Sequence, residues 1–292
     1  MTNNILLACS GVLGEKVLKN LHKNKFQLSV LTDKNSTKII NLCSKHKINI
    51  YVGNARNDNC YYFTQKYKNY ILLSVNYLYL FEERMRDIFQ YKFNVHGSLL
   101  PKYRGRTPHV WAIINNEKKT GITIHDIANE CDAGDIYFQK EIPIRNSDTG
   151  STILKKYFYH YPKIIKQFLY LFYEHKLVPC KQNEYLSTYF CKRTPEDGKI
   201  LFDWQRERIY NWVRALAPPF YPGAFCFLGD KKIIINKILL SNLGFSCNTR
   251  NGMVLDTGKG SLIVKTQNGC IEVVDYYKQD NNIIIKKGDV LT

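Results

Sequence analysis

At 292 residues, 45% of them hydrophobic, the chain can hold one large domain and a smaller one and is too apolar to be disordered. No apolar run approaches the roughly 20 residues of a membrane helix, and Met1-Thr2-Asn3-Asn4 leads straight into a strand-like run, which reads as a soluble cytoplasmic protein with no membrane partner. The nine cysteines stand singly, without CxxC or metal-ligand spacing, so they read as reduced, packed thiols and no metal is expected; the net charge of +17 is spread along the chain.

In chain order, Asn4 to Ala8 predicts a first strand, Ser10 to Gly14 a turn, and Glu15 to His22 a helix with Val17, Leu18 and Leu21 on one face. Leu28 to Leu31 predicts a second strand, Ser36 to His46 a helix, Ile48 to Val52 a third strand, Asp58 to Tyr67 a helix and Tyr70 to Val75 a fourth strand. This alternation predicts an α/β fold, a Rossmann-like, mostly parallel sheet covered by helices. The Gly11 to Gly14 turn lacks the three-glycine spacing of a dinucleotide fingerprint, which speaks against a nicotinamide cofactor.

The chemistry gathers further on. A hydrophobic entry at Lys92-Phe93 ends in Asn94 and His96, two residues apart and hence on one face of a strand end. Thr107 to Asn115 predicts a helix, and two alternating runs, Gly121 to Ile127 and Asp135 to Ile142, predict a hairpin whose connection, Ala128 to Gly134, carries Asp132. An amide, an imidazole and a carboxylate so placed suit an oxyanion donor, a general base and the group that orients the base. His125, on an alternating strand, is a lesser candidate that could be core or cleft, and Cys131 reads as packing. Arg104 and Arg106 flank Gly105 after the strand and suit a diphosphate as readily as solvent.

A helix from about residue 149 to His175 carries a stripe from Ile153 to Phe172, capped by Ser147, Asp148 or Thr149. The linker-like Arg193 to Gly198 precedes a helix from Trp204 to Ala217 and a rigid turn at Pro218 to Ala224. Five short strands then follow, at Phe225 to Leu228, Lys232 to Leu240, Met253 to Asp256, Ser261 to Thr266 and Cys270 to Tyr276. The chain thus reads as a catalytic domain over residues 1–200 and a small antiparallel β-rich domain over 201–292.

Four motifs, NVHGSLLPKYRG (Asn94 to Gly105), TGITIHDI (Thr120 to Ile127), DAGDI (Asp132 to Ile136) and RTPEDGKILFDW (Arg193 to Trp204), resemble in order and spacing the 10-formyltetrahydrofolate-dependent formyltransferase family. The resemblance implies a catalytic trio of Asn94, His96 and Asp132, and 10-formyltetrahydrofolate as co-substrate held by Leu78, Tyr79, Leu80, Phe81, Asp132 and Asp135. RTPHVWAIIN and VRALAPPFYPGAF are similar to the sugar nucleotide N-formyltransferases, particularly those acting on dTDP-4-amino-4,6-dideoxyglucose. That likeness implies a nucleotide-linked amino sugar as acceptor, contacts from Arg104, Arg106, His109, Trp111, Phe220 and Tyr221, a homodimer, and no nucleic-acid partner. The alternative acceptor is methionyl-tRNA, which the +17 charge keeps open.

Overall fold

The computed structural model describes residues 4–258, 260–280 and 283–292. Strand and helix alternate through β1 (Asn4–Cys9), α1 (Gly11–Lys23), β2 (Gln27–Thr32), α2 (Thr37–His46), β3 (Asn49–Val52), α3 (Asp58–Gln65) and β4 (Ile71–Val75). A one-turn α4 (Glu83–Arg86), β5 (Lys92–His96), a two-residue β6 (Arg104–Gly105), α5 (Pro108–Ile114), β7 (Lys119–Asp126) and β8 (Ile136–Pro143) follow. The long α6 (Gly150–Tyr173), a two-residue β9 (Tyr189–Phe190) and α7 (Arg206–Ala215) precede β10 (Ala224–Leu228), β11 (Lys231–Ser241), β12 (Val254–Thr257), β13 (Leu262–Thr266) and β14 (Gly269–Lys278). No helix among the described residues is long and apolar enough to cross a membrane.

The chain divides into two compact units, Met1–Gly105 with Thr120–Ile142 and Lys155–Phe190, and Arg106–Lys119 with Pro143–Leu154 and Cys191–Thr292. The first unit carries a seven-stranded sheet in the order β3-β2-β1-β4-β5-β7-β8. Pairing is parallel from β3 to β5 and antiparallel between β5 and β7. Ile5, Leu6 and Leu7 of β1 are wholly buried, as a strand covered on both faces demands. Gly14 lets α1 close on the sheet: a Cβ there would lie 2.8 Å from the Cβ of Cys9. Strand order reverses between β1 and β4, and in such sheets ligands gather beyond the carboxyl ends of the strands next to the reversal.

Period two sorts the side chains of β5. Phe93 turns into the core and meets Tyr137, Phe168 and Phe172 edge to face at 4.9, 5.0 and 5.2 Å, a burial that contributes about 1.5–3 kcal/mol. Asn94 and His96 therefore share the opposite face. Thr149 caps α6, accepting from the Thr152 amide at 3.1 Å while Thr152 Oγ1 accepts from the Thr149 amide at 2.8 Å.

The second unit holds a five-stranded sheet in the order β10-β11-β14-β13-β12, antiparallel throughout, with α7 burying Ile209, Trp212 and Val213. The α/β reading, with a mostly parallel sheet followed by an antiparallel one, is the architecture found.

Candidate active site

β5 ends at His96, and β7 runs antiparallel to it with Asn94 opposite His125 and His96 opposite Thr123. Cross-strand partners project from the same face, so Asn94, His96 and His125 form one cluster. The loop after β7 brings Asp132 onto it. Asn94 Nδ2 donates to Asp132 Oδ1 at 3.2 Å, and His96 Nδ1 and His125 Nε2 each face a carboxylate oxygen of Asp132 at 3.4 Å. The Gly105 amide donates to Asp132 Oδ2 at 2.9 Å, and Cys131 Sγ, next in sequence, donates to the same oxygen at 3.5 Å. The residues expected to form a trio thus stand together.

Backbone carbonyls only accept, so they decide where the imidazole protons sit. His96 Nε2 lies 2.7 Å from the carbonyl oxygen of Tyr103, and His125 Nδ1 lies 2.7 Å from that of Asp126. Each outer nitrogen therefore carries a proton, and each inner nitrogen, His96 Nδ1 and His125 Nε2, faces Asp132.

Burial alone raises the carboxyl of Asp132, but the imidazoles of His96 and His125 and the Gly105 amide outweigh it and hold the group well below the usual carboxylate range. Burial pushes His96 the other way for an imidazole, below its ordinary value, against the pull of Asp132 and the Tyr103 carbonyl. At neutral pH the cluster thus holds an ionised carboxylate beside a neutral ring whose bare nitrogen is Nδ1.

Two backbone positions at the site are left-handed without being glycine, Tyr103 at φ 62° and Asp132 at φ 57°. They are held by a clamp that no local sequence signal announces. Ile136 and Cys180 exchange backbone hydrogen bonds, which delivers Gln182 to the loop. Gln182 Nε2 donates to the carbonyls of Asp132 at 2.8 Å and Gly134 at 2.7 Å. Gly134 has to be glycine, because a Cβ there would stand 2.0 Å from the Asp126 carbonyl oxygen.

Arg104, wholly buried, holds Gln182 in turn. Its Nε and Nη2 donate to Gln182 Oε1 at 3.1 and 2.7 Å, Nη2 and Nη1 to the two oxygens of Glu184 at 2.6 and 2.8 Å, and Nη1 to the Tyr189 hydroxyl at 2.5 Å. All the N–H groups of a guanidinium are thereby engaged. The expectation that Arg104 offers a free fork to a diphosphate is corrected: the fork is spent inside the first unit, and Arg104 props the Asp132 loop.

The loop that carries residues 78–81 leaves β4, the parallel neighbour of β5 in the sheet. Tyr79 and Phe81 pack onto the core, with Phe81 stacked on Tyr77 at 5.5 Å, whereas Leu78 and Leu80 are 43% and 56% exposed. Apolar side chains held at water beside the strand that bears the cluster suit a flat heterocycle. Asp135 is half-buried, and its carbonyl accepts from the Asp126 amide at 2.9 Å.

The other expected contacts lie in the second unit. Arg106 is exposed there. His109 Nε2 meets the Tyr221 hydroxyl at 2.5 Å, and burial raises Tyr221 above an ordinary phenol. Trp111 donates from Nε1 to the Cys191 carbonyl at 3.4 Å beneath the guanidinium of Arg193, and the Phe220 amide donates to Ser151 Oγ at 3.2 Å.

The sequence model described as formyl transferase matches residues 6–168, and that described as formyl transferase, C-terminal domain, matches residues 192–286. The bifunctional polymyxin resistance protein ArnA of Wigglesworthia glossinidia brevipalpis is 36% identical over 245 residues, 83% of this chain and 36% of the relative. The chain thus spans about a third of that relative's length. Two solved structures share the fold. WlaRD, a sugar 3N-formyl transferase crystallised in the presence of dTDP and 5-N-formyl-THF, has 22% identity and a TM-score of 0.72 over 97% of this chain and 100% of its own. The N-formyltransferase from Helicobacter canadensis, in complex with folinic acid and dTDP-3-aminofucose, has 22% identity and a TM-score of 0.75 over 94% of this chain and 99% of its own.

Proposed function

Because this chain belongs to the formyl transferase family, we propose that it moves a formyl group from 10-formyltetrahydrofolate to the amino group of a nucleotide-linked amino sugar, with dTDP-4-amino-4,6-dideoxyglucose the first acceptor to try. The observation that carries this reading is the meeting of Asn94, His96 and Asp132 at the carboxyl end of β5. The sugar acceptor draws its support from the two structural neighbours, a sugar 3N-formyl transferase with dTDP and an N-formyltransferase with dTDP-3-aminofucose.

When bound, 10-formyltetrahydrofolate supplies the activated formyl carbon, and exposed Leu78 and Leu80 fit its ring system. His96 Nδ1, bare because Nε2–H is committed to Tyr103, takes the proton that the attacking amine loses as the new C–N bond forms. Asp132 holds that proton's charge on the ring, and His96 then returns the proton to the folate nitrogen as the old C–N bond breaks. Asn94 offers an N–H to the formyl oxygen as negative charge grows on it; losing such a donor costs about a hundred- to thousandfold in rate. His109, Trp111, Phe220 and Tyr221 are proposed for the sugar nucleotide, and a homodimer comes with the same resemblance.

The test is a panel of dTDP- and UDP-linked amino sugars and methionyl-tRNA with 10-formyltetrahydrofolate, read by the mass gain of one formyl group. The expected result is formylation of a dTDP-linked amino sugar, slowed at least about a hundredfold in Asn94→Ala and in His96→Asn. Formyl gain on methionyl-tRNA alone would reassign the acceptor, and no gain on any acceptor would overturn the reading.

A further inference from the structure

Asn94 Nδ2, Asp132 Oδ1 and His125 Nε2 form a closed triangle with edges of 3.2, 3.4 and 3.1 Å. An amide nitrogen has two hydrogens, an ionised carboxylate has none, and His125 Nε2 is either a lone pair or an N–H, because Nδ1–H is already committed to the Asp126 carbonyl. Only two edges of the triangle are hydrogen bonds at one time. With His125 neutral, Asn94 spends one hydrogen on Nε2 and the other on Asp132, and has no N–H left for a substrate. With His125 protonated, Nε2–H turns to Asp132, the Asn94 edge becomes donor against donor, and one amide hydrogen is released.

We infer that His125 is a positioning residue that governs the donor capacity of Asn94: its neutral ring withholds an amide hydrogen, and its protonated ring releases that hydrogen to the developing oxyanion. This rests on the formyl-transfer reading for its consequence in catalysis, but the hydrogen-bond exchange itself belongs to the resting protein. The titratable groups facing the ring are Asp132 from the loop, which Cys131 Sγ also contacts, His96 from β5, whose ring centroid is 6.5 Å away, and Asp126 beside it on β7. Two further groups reach the cluster through these: Arg104 acts on His96, and Tyr161 of α6 feels Asp132.

Two arms test the inference. In the first, the 15N-labelled wild-type protein without substrates is titrated from about pH 5 to about pH 9, the range in which imidazoles change charge. His125 should keep a proton on Nδ1 throughout, with any change of protonation confined to Nε2. The side-chain NH2 signals of Asn94, assigned by their loss in Asn94→Ala, should move with the same midpoint. Asn94 signals indifferent to that titration, or a bare Nδ1 on His125, would overturn the inference whether or not the protein formylates anything.

In the second arm, kcat is followed against pH with a formylated acceptor. Wild type should lose about a hundredfold wherever the His125 ring is neutral, as an alkaline limb sharing the midpoint of the Asn94 signals in the first arm. His125→Leu, whose side chain cannot accept, should lack that limb and keep its KM values, while retaining the acid limb of His96. An alkaline limb persisting at the same midpoint in a folded His125→Leu would overturn the inference. If no acceptor is formylated at all, the functional reading falls and the first arm still decides the exchange.

Discussion

His96 is the residue on which the proposed chemistry turns, and its surroundings set a sign that rate measurements can read. Burial lowers its protonation equilibrium, so the ring stays neutral and basic after an exposed imidazole has taken up a proton. The acid limb of kcat is therefore expected below about pH 6.5, the ordinary value. A limb centred above the ordinary value would remove His96 as the base. His96→Asn is expected to lose about a hundred- to ten-thousandfold in kcat at neutral pH. The same displacement bears on folding: an unfolded chain binds a proton at His96 at a higher pH than the folded one does, so this residue's contribution to stability declines as the pH falls from about 6.5 toward its lowered value. Asn94 and His96 were legible because spacing along a strand is a local property. The engagement of Arg104 was not, since its partners are Gln182, Glu184 and Tyr189, 78 to 85 residues away.

At the level of elements, the register of β5 against β7 assembles the cluster, and the pairing of β6 with β9 secures it. β6 joins β9 through Arg104 with Tyr189 and Gly105 with Phe190, and Tyr103 stacks on Phe190 at 5.1 Å. Gln182→Leu removes the two hydrogen bonds to the Asp132 loop, leaving the carbonyls of Asp132 and Gly134 without that donor. The expected outcome is a fall in kcat of about 10- to 100-fold, the cost of misplacing a reacting group by about 1 Å, with KM for both substrates preserved. An unchanged kcat in a folded Gln182→Leu protein would show that the loop holds itself. The elements from β1 to β4 were readable because the parallel strands are short apolar runs and the helices between them carry period 3.6, whereas the one-turn α4 carries no such pattern. β6 and β9, two residues apiece, carry no such pattern; they exist because distant segments pair. His125 was half-visible: its strand was evident, but its place opposite Asn94 depends on an interstrand register that alternation alone leaves open.

For the whole molecule, the charge of +17 acquires a use if both substrates are anions, a folate bearing carboxylates and a sugar carried on a diphosphate. Raising the salt from about 50 mM to about 500 mM shortens the Debye length from above 10 Å to below 5 Å. It should therefore lift KM for both substrates several-fold and leave kcat within about twofold. A KM indifferent to salt would mean that the surplus lysines do not steer either substrate. The Arg104 clamp has a last consequence, for the order in which the molecule is made. Asn94, His96 and Asp132 leave the ribosome well before Gln182, and Gln182 before Tyr189. A nascent chain that already contains every reacting group thus still lacks the tie that holds the carboxylate loop. Such a chain, released early by a truncated message, carries the three chemical side chains without the tie that holds their loop, so competence arrives late in synthesis.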